Sequence, residues 1–183
     1  MFFLRTGTKK VIINSKKVMY SSLKSCDEFI EISRVRALFY YIIGYKFYML
    51  VRNPMDRILS FYKNKFIVTD NKDQPSIRLF GDNEIGINQM VEKLPSVYMK
   101  DGHLYPQVKS QGIFIKSFGI FFPFNIITVF RMESDIKNME DFFEANIPHK
   151  NSTAGTYVPE LTNRSKRIIE DIYQEDYERY EYK

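Results

Sequence analysis

Apolar residues fall into three short runs and several helical repeats along the chain. The runs at 10–14, 46–51 and 125–130 have the length and near-continuous apolar character of strands in a sheet that is covered on both faces. Elsewhere, apolar residues recur every three or four positions, which predicts helices. The first predicted helix begins at Ser21 and has Leu23, Cys26 and Ile30 on one face. Four further helices are predicted at 54–66, 84–94, 134–145 and 159–180.

Strands and helices alternate, which predicts an α/β protein of three layers with helices flanking a mostly parallel central sheet. The 183 residues have the length of one domain, so we expect a single domain over 1–183. Ligands of such folds bind beyond the carboxyl ends of the strands. Two strand-to-helix turns therefore carry the candidate chemistry, at 15–22 and 52–60.

Charge and composition narrow the function classes. The net charge is +5, which favours anionic ligands, but acidic residues interleave with the basic ones and argue against a nucleic-acid binder. The single cysteine, Cys26, excludes an internal disulfide and a cysteine-rich zinc site, and two histidines argue against a multi-histidine metal centre. The longest apolar runs are far shorter than the ~18 residues of a membrane span.

The first turn carries Lys16 and Lys17 and leads to Ser21 and Ser22 at a helix start. Free backbone N–H groups at a helix start, a mobile ammonium and two hydroxyl groups suit a phosphate or sulfate. The glycines of the Walker pattern are absent. The alternative is an ordinary capped turn with two solvated lysines.

The second turn places Arg52 at the end of a strand, ahead of Asn53 as a helix N-cap and Pro54 at the first helical position. An arginine fork there can hold a phosphate at two oxygens. Ser60 follows about two helical turns later. The alternative makes Arg52 a surface ion-pair partner and Ser60 an ordinary helical residue.

Together these segments resemble those of sulfotransferases. Residues 15–24, SKKVMYSSLK, resemble the 5'-phosphosulfate loop P-K-V-G-x-[TS]-[SN]-[LW]-[KR], and residues 51–66, VRNPMDRILSFYKNKF, resemble the 3'-phosphate motif V-R-[DN]-P-x-[ED]-R-[LI]-x-S-x-[YF]-x-x-K-[FY]. Four further segments resemble those of the carbohydrate sulfotransferase branch, in family order: HLYPQ at 103–107, FRME at 130–133, HKNST at 149–153 and the ending at 173–182.

The resemblance implies a P-loop-type fold and a donor substrate, 3'-phosphoadenosine 5'-phosphosulfate (PAPS), with no metal. It assigns the 3'-phosphate to Arg52 and Ser60, and it places Lys150 in a loop that closes over the donor. The 5'-phosphosulfate is assigned to side chains and backbone N–H groups of Lys17, Val18, Met19, Tyr20, Ser21 and Ser22.

The implied reaction is an in-line transfer of the sulfuryl group to a hydroxyl of a glycan or a small alcohol. Lys17 would stabilise the charge on the departing nucleotide. A neutral imidazole accepts a proton well near pH 7, and His103 is the candidate general base because it lies in the HLYPQ segment that resembles the family's. Glu133, which we expect to pair with Arg131, and His149 are the alternative bases. A hydrogen-bonded loop histidine is the structural alternative for His103.

The chain departs from the family loop at Lys16, where proline is usual, and at Met19, where glycine permits a positive φ. Two other functions stay open on the residues alone: a P-loop-type nucleotide kinase, and a non-catalytic nucleotide-binding module derived from a sulfotransferase. We expect a cytoplasmic protein of microbial or viral origin, with a trimmed Golgi-lumenal domain as the alternative.

Overall fold

A computed structural model describes residues 1–16, 18–68, 75–81, 84–115, 120–148 and 160–182. The predicted site residues Lys17, His149 and Lys150 lie outside these ranges. Contacts within the chain define two compact units, formed by the described residues of Met1–Arg52 with Gln107–Ser152 and of Asn53–Pro106 with Thr153–Lys183. The expected single domain over 1–183 stays a prediction.

The first unit contains the strands. They are β1 (Phe2–Arg5), β2 (Lys10–Asn14), β3 (Phe29–Ile32), β4 (Lys46–Val51), β5 (Gly112–Ile115), β6 (Ile120–Pro123) and β7 (Ile126–Arg131). The main sheet has the order β3-β1-β2-β4-β7, in which β2, β4 and β7 are parallel and β1 is antiparallel to both of its neighbours. Four of the five strands therefore run in the same direction, and the predicted α/β class with a mostly parallel sheet is confirmed.

The sequence located the three parallel strands well. The structure has β2 and β4 at the predicted bounds, and β7 begins one residue later than predicted. The pattern missed β1, β3 and the hairpin of β5 and β6, whose strands have four residues each. Such short strands carry little periodic signal, and they form because a partner elsewhere in the chain completes their hydrogen bonds.

Helices belong to both units. The first unit contains α1 (Tyr20–Lys24), α2 (Arg34–Ile42) and α6 (Ile136–Phe143). The second contains α3 (Pro54–Tyr62), α4 (Pro75–Arg78), α5 (Ile87–Val97), α7 (Asn163–Ile172) and α8 (Gln174–Tyr180). A π-helical turn at Lys63–Ile67 prolongs α3 over the predicted 54–66. Among these described helices none has the length and apolar character that crossing a membrane requires.

The predicted face of Leu23, Cys26 and Ile30 is wrong. Helix α1 ends at Lys24, and Ile30 is an exposed residue of β3. The residues from Ser25 to Asp27 are weak helix formers, and Ile30 instead pairs with Leu4 of β1 across the sheet. Cys26 is nevertheless buried in the core of the first unit.

The last predicted helix, 159–180, is two helices within its described part. The helix is interrupted at Tyr173, which has φ −109° and ψ 21° and is completely buried. Helix α5 also extends past its predicted end at Leu94, through Pro95 to Val97. Val97 is buried among apolar side chains, which offsets the hydrogen bond that proline cannot donate.

Each unit has its own core. In the first, the sheet packs against residues of α1 and α6, with Phe3, Leu23, Tyr48 and Phe143 among the buried members. In the second, the apolar side of α3 packs with α5 and α7. The predicted stripe of α3 lies in this second core, with Ile58 and Tyr62 buried and Met55, Leu59 and Phe66 partly buried.

Candidate functional site

The turn after β2 adopts a backbone conformation that favours glycine. Met19 has φ 48° and ψ 22°, in the left-handed region, immediately before α1 begins. Its carbonyl oxygen accepts a hydrogen bond of 3.0 Å from the backbone N–H of Leu23. Met19, which the motif resemblance aligns with a glycine, thus has a glycine-like backbone, at a conformational cost of about 1–2 kcal/mol.

Side chains of this turn divide between the interior and the surface. Val18 and Met19 are buried in the core of the first unit, so the side chain at this left-handed position is part of the hydrophobic packing. Ser22 is also buried, whereas Ser21 is exposed. The hydroxyl group of Tyr20 donates a hydrogen bond of 3.0 Å to Glu31. Ser21 is therefore the hydroxyl of the predicted pair that is open to solvent.

A buried polar side chain without partners lies at the end of β2. Asn14 is completely buried, and neither its amide nitrogen nor its amide oxygen has a hydrogen-bond partner. Leaving such a group unpaired costs about 1–3 kcal/mol, and buried polar groups of native proteins usually have a partner in the protein or an ordered water. The edge of the sheet where the first turn begins thus has unused hydrogen-bonding capacity.

Gln107 connects the ends of the two neighbouring parallel strands. Its Oε1 atom accepts hydrogen bonds from the backbone N–H of Arg52, at 2.9 Å, and from the hydroxyl group of Ser15, at 3.2 Å. Its Nε2 atom donates to the carbonyl oxygen of Arg52 at 2.7 Å. Because Ser15 follows β2 and Arg52 follows β4, one buried side chain fixes where both predicted anion-binding turns begin.

The second turn forms as the sequence predicts. The Asn53 side chain caps α3 by accepting a hydrogen bond of 2.9 Å from the backbone N–H of Met55, and Pro54 is the first helical residue. Arg52, at the end of β4 in the first unit, is half-buried. Ser60 lies in α3 within the second unit and is also half-buried.

His103, the candidate base, is paired with an aspartate. Its Nδ1 atom lies 2.7 Å from Oδ1 of Asp101, and its backbone N–H donates to the same oxygen at 2.8 Å. Burial of the Asp101 carboxyl acts to raise its pKa, but hydrogen bonds from His103 and Ser76 hold that pKa well below the usual range. Asp101 is therefore an ionised acceptor facing the imidazole.

The residues after His103 are held by two buried side chains of the second unit. The hydroxyl group of Tyr173 donates a hydrogen bond of 2.6 Å to the carbonyl oxygen of Leu104. Nη1 of Arg57 donates to the carbonyl oxygen of Tyr105 at 2.7 Å. Both donors are almost completely buried, so this irregular segment has a fixed backbone position despite its lack of regular secondary structure.

Arg57 is itself part of a buried ion pair. Its Nη2 atom lies 3.8 Å from Oδ2 of Asp176, which is longer than a hydrogen bond, and its guanidinium carbon lies 5.0 Å from the centre of the Tyr173 ring. Both charged side chains have at most 1% of their surface exposed. Attraction between the opposite charges and contact with the ring offset part of the cost of burying them.

Sequence reasoning assigned no role to Asp101, Arg57, Gln107 or Asp176. Arg57, Gln107 and Asp176 lie inside the motif segments quoted above, and Asp101 is two residues before His103. An aspartate side chain often accepts a hydrogen bond from the backbone N–H two residues later, so Asp101 could have been expected to contact the backbone of His103. The sequence offered no comparable signal that Gln107 would meet Arg52, because 55 residues separate them.

The remaining predicted residues divide by location. Glu133 lies in the turn behind β7 and Arg131 is the last residue of that strand. Lys17, His149 and Lys150 lie outside the described residues, so their assignments stay predictions. Across the ranges that the structure describes, no group of three or more His, Cys, Asp or Glu side chains is arranged to hold a metal ion.

Comparison with protein families gives one match. A model of the sulfotransferase family matches residues 9–103, slightly more than half of the chain. The match includes both strand-to-helix turns and ends at His103. Searches of curated proteins and of solved structures found no significant match.

Proposed function

The chain belongs to the sulfotransferase family, and we propose that it transfers a sulfuryl group from PAPS to a hydroxyl group of a carbohydrate. The observation that carries this proposal is the link that Gln107 makes between Ser15 and Arg52. It places the starts of the two motif-bearing turns at one edge of a parallel sheet, where α/β proteins bind their ligands.

The residues at this edge suit an anionic nucleotide. The exposed hydroxyl of Ser21 offers a hydrogen-bonding group at the first turn. Met19 supports the same interpretation, because its backbone takes the conformation expected of the family's glycine while its side chain packs into the core. Donor binding by Lys17, Arg52, Ser60 and Lys150 follows from the family resemblance.

In the proposed reaction, bound PAPS supplies the activated sulfuryl group. The Lys17 ammonium neutralises negative charge on the phosphate oxygen that leaves, where charge develops in the transition state. His103 removes the proton from the acceptor hydroxyl as the new oxygen–sulfur bond forms.

A turnover assay tests this proposal directly. The full chain is incubated with PAPS labelled in the sulfuryl group and with panels of glycans and small alcohols, and the label is followed into product. Labelled glycan supports the proposal, whereas label confined to small alcohols would contradict the carbohydrate assignment. Calorimetric titration with PAPS, its desulfated product and ATP separates the alternatives, since preferential binding of ATP would favour a nucleotide kinase.

Binding of PAPS without any turnover would instead favour a non-catalytic module.

His103→Ala identifies the base once turnover is established. Turnover should fall about 10²–10⁴-fold while donor affinity is nearly unchanged. His149→Ala is the control and should have a small effect at most. Near-normal turnover in His103→Ala would move the base role to Glu133 or another carboxylate.

A further inference from the structure

We propose that Asp101 is a positioning residue that fixes the tautomer and orientation of His103 for proton transfer, an inference that rests on the function proposed above. Nothing in the family match assigns a role to Asp101. The proposal concerns two side chains of the second unit, separated by one residue in sequence and in direct contact in the structure.

The contact has a geometry that constrains the imidazole ring. A single carboxylate oxygen, Oδ1 of Asp101, receives the His103 backbone N–H at 2.8 Å and faces the ring nitrogen Nδ1 at 2.7 Å. The backbone hydrogen bond fixes the carboxylate relative to the main chain of His103, and the short side-chain contact fixes the ring relative to the carboxylate. Both side chains are largely shielded, with 10% of Asp101 and 23% of His103 exposed.

Neighbouring groups hold the pair in place. Ser76 of α4 donates a hydrogen bond to the Asp101 carboxylate. The Phe61 ring of α3 lies against the imidazole, with ring centres 6.1 Å apart. The backbone directly after His103 is held by Tyr173 and Arg57 through the carbonyl oxygens of Leu104 and Tyr105. Contacts to the carboxylate, to the imidazole and to the backbone that follows therefore hold Asp101 and His103 in place within the second unit.

The chemical consequence follows from proton placement. An ionised carboxylate can only accept, so Nδ1 must carry the proton that is shared with Asp101. In the neutral imidazole the lone pair is then on Nε2, which can take the proton of the acceptor hydroxyl. As that proton moves to Nε2, the hydroxyl oxygen bonds to sulfur, and the bond from sulfur to the bridging phosphate oxygen breaks with its electron pair leaving on the phosphate. The carboxylate stabilises the imidazolium that results.

Nitrogen NMR of the histidine side chains tests the proposal without an activity assay. The chain has two histidines, so a His149→Gln variant leaves the His103 imidazole as the only one in the spectrum. At a pH where the ring is neutral, we expect Nδ1 to show the signal of a protonated nitrogen and Nε2 that of a bare one. In Asp101→Asn the amide can donate to Nδ1, and the population should shift toward a proton on Nε2.

Kinetics then test the consequence for transfer. Asp101→Asn should lower kcat on the order of 10²-fold or more, with the KM values for donor and acceptor nearly unchanged, because the wrong tautomer is present while binding is intact. Asp101→Glu keeps the carboxylate and should restore part of the lost turnover. Loss of folding alone would lower the amount of active protein and would not change the tautomer of the folded fraction.

Two outcomes would overturn the inference. One is a neutral His103 with its proton on Nε2 in the protein that retains Asp101. This measurement does not require the Asp101→Asn variant, so it tests the inference even if that variant does not fold. The other is an Asp101→Asn protein with wild-type kcat. Failure of the proposed function is distinguishable, because it would show as absence of sulfuryl transfer by the wild-type protein, whatever tautomer the NMR measurement finds.

Discussion

Gln107 continues the hydrogen bonding of the sheet beyond the last residue of β4, because its side-chain amide pairs with both backbone groups of Arg52. It accepts from the N–H at 2.9 Å and donates to the carbonyl oxygen at 2.7 Å. The same amide oxygen receives the hydroxyl group of Ser15. A completely buried glutamine thus sets the backbone at the two turns through which the donor is expected to bind.

Truncating Gln107 should destabilise the protein. Gln107→Ala removes the side-chain hydrogen bonds to both backbone groups of Arg52 in a shielded place, and we expect a loss of about 2–4 kcal/mol in the free energy of unfolding. Ser15→Ala removes one side-chain hydrogen bond and should cost about 0.5–1.5 kcal/mol. Urea denaturation of the three proteins provides the comparison. Equal losses in the two variants would show that Gln107 contributes no more than its contact with Ser15.

Sequence reasoning succeeded where the structure depends on local signals. Continuous apolar runs located β2 and β4, and Asn53 with Pro54 located the start of α3. Sequence reasoning failed where pairing with a residue distant in sequence determines the secondary structure. Ile30 has the right spacing from Cys26 for a helix, yet pairing with Leu4 places it in a strand. A four-residue strand gains little from its own propensity, so the sheet overrides the helical pattern.

The same division applies to the candidate site. The two anion-binding turns could be predicted because each is a strand end followed by a helix start within about ten residues. The bridge from Gln107 to Arg52 could not, because residues far apart in sequence meet only in the folded sheet. The pair of Asp101 and His103 lies between these cases, since an aspartate followed by glycine and histidine predicts a local turn but not the contact with the ring.

We predict that the Arg52 side chain binds the 3'-phosphate of the donor. Arg52→Ala should weaken binding of the 3'-phosphorylated nucleotide by about 2–4 kcal/mol, because one partner of a charge-assisted pair is removed. The fold should tolerate this change, since the hydrogen bonds between Gln107 and Arg52 use backbone atoms of Arg52, which the variant keeps. Calorimetric titration with the nucleotide lacking a 3'-phosphate is the control. Equal losses for both nucleotides would show that Arg52 does not recognise the 3'-phosphate.

Lys17 and its neighbour should differ sharply in their effect on turnover. Lys17→Ala should lower turnover 10²-fold or more, on the order of 3 kcal/mol of transition-state stabilisation, because the developing charge loses its ammonium partner. Lys16→Ala should cost far less, because in the family pattern this position is a proline and needs no contact. Initial rates with labelled PAPS measure both. Similar losses would mean that the loop is aligned incorrectly with the family motif.

The buried pair of Arg57 and Asp176 should matter more for stability than an exposed pair of the same charges. Asp176→Ala leaves the Arg57 guanidinium buried without its counter-charge, and we expect a loss of about 3–5 kcal/mol in the free energy of unfolding. The control is Asp141→Ala, which breaks the exposed pair of Lys137 and Asp141 at 3.3 Å.

The control should cost at most about 0.5 kcal/mol, because water screens both of its charges. Chemical denaturation at neutral pH compares the two variants. A double variant, Arg57→Met with Asp176→Leu, should recover much of the stability, because it removes both charges while keeping apolar volume. A double variant no more stable than Asp176→Ala would show that the cost comes from lost packing and not from the unpaired charge.

Glycine substitutions at Met19 and Glu144 should have opposite signs although both residues have a left-handed backbone, with φ 48° and 50°. Glycine relieves about 1–2 kcal/mol of strain at such a position. Met19 is buried in the core, and removing its side chain costs about 2–5 kcal/mol, so Met19→Gly should be destabilising. Glu144 is exposed at the end of α6, so Glu144→Gly should stabilise by about 0.5–1 kcal/mol. Thermal and urea unfolding measure both changes, and a stabilised Met19→Gly would show that strain outweighs packing in this turn.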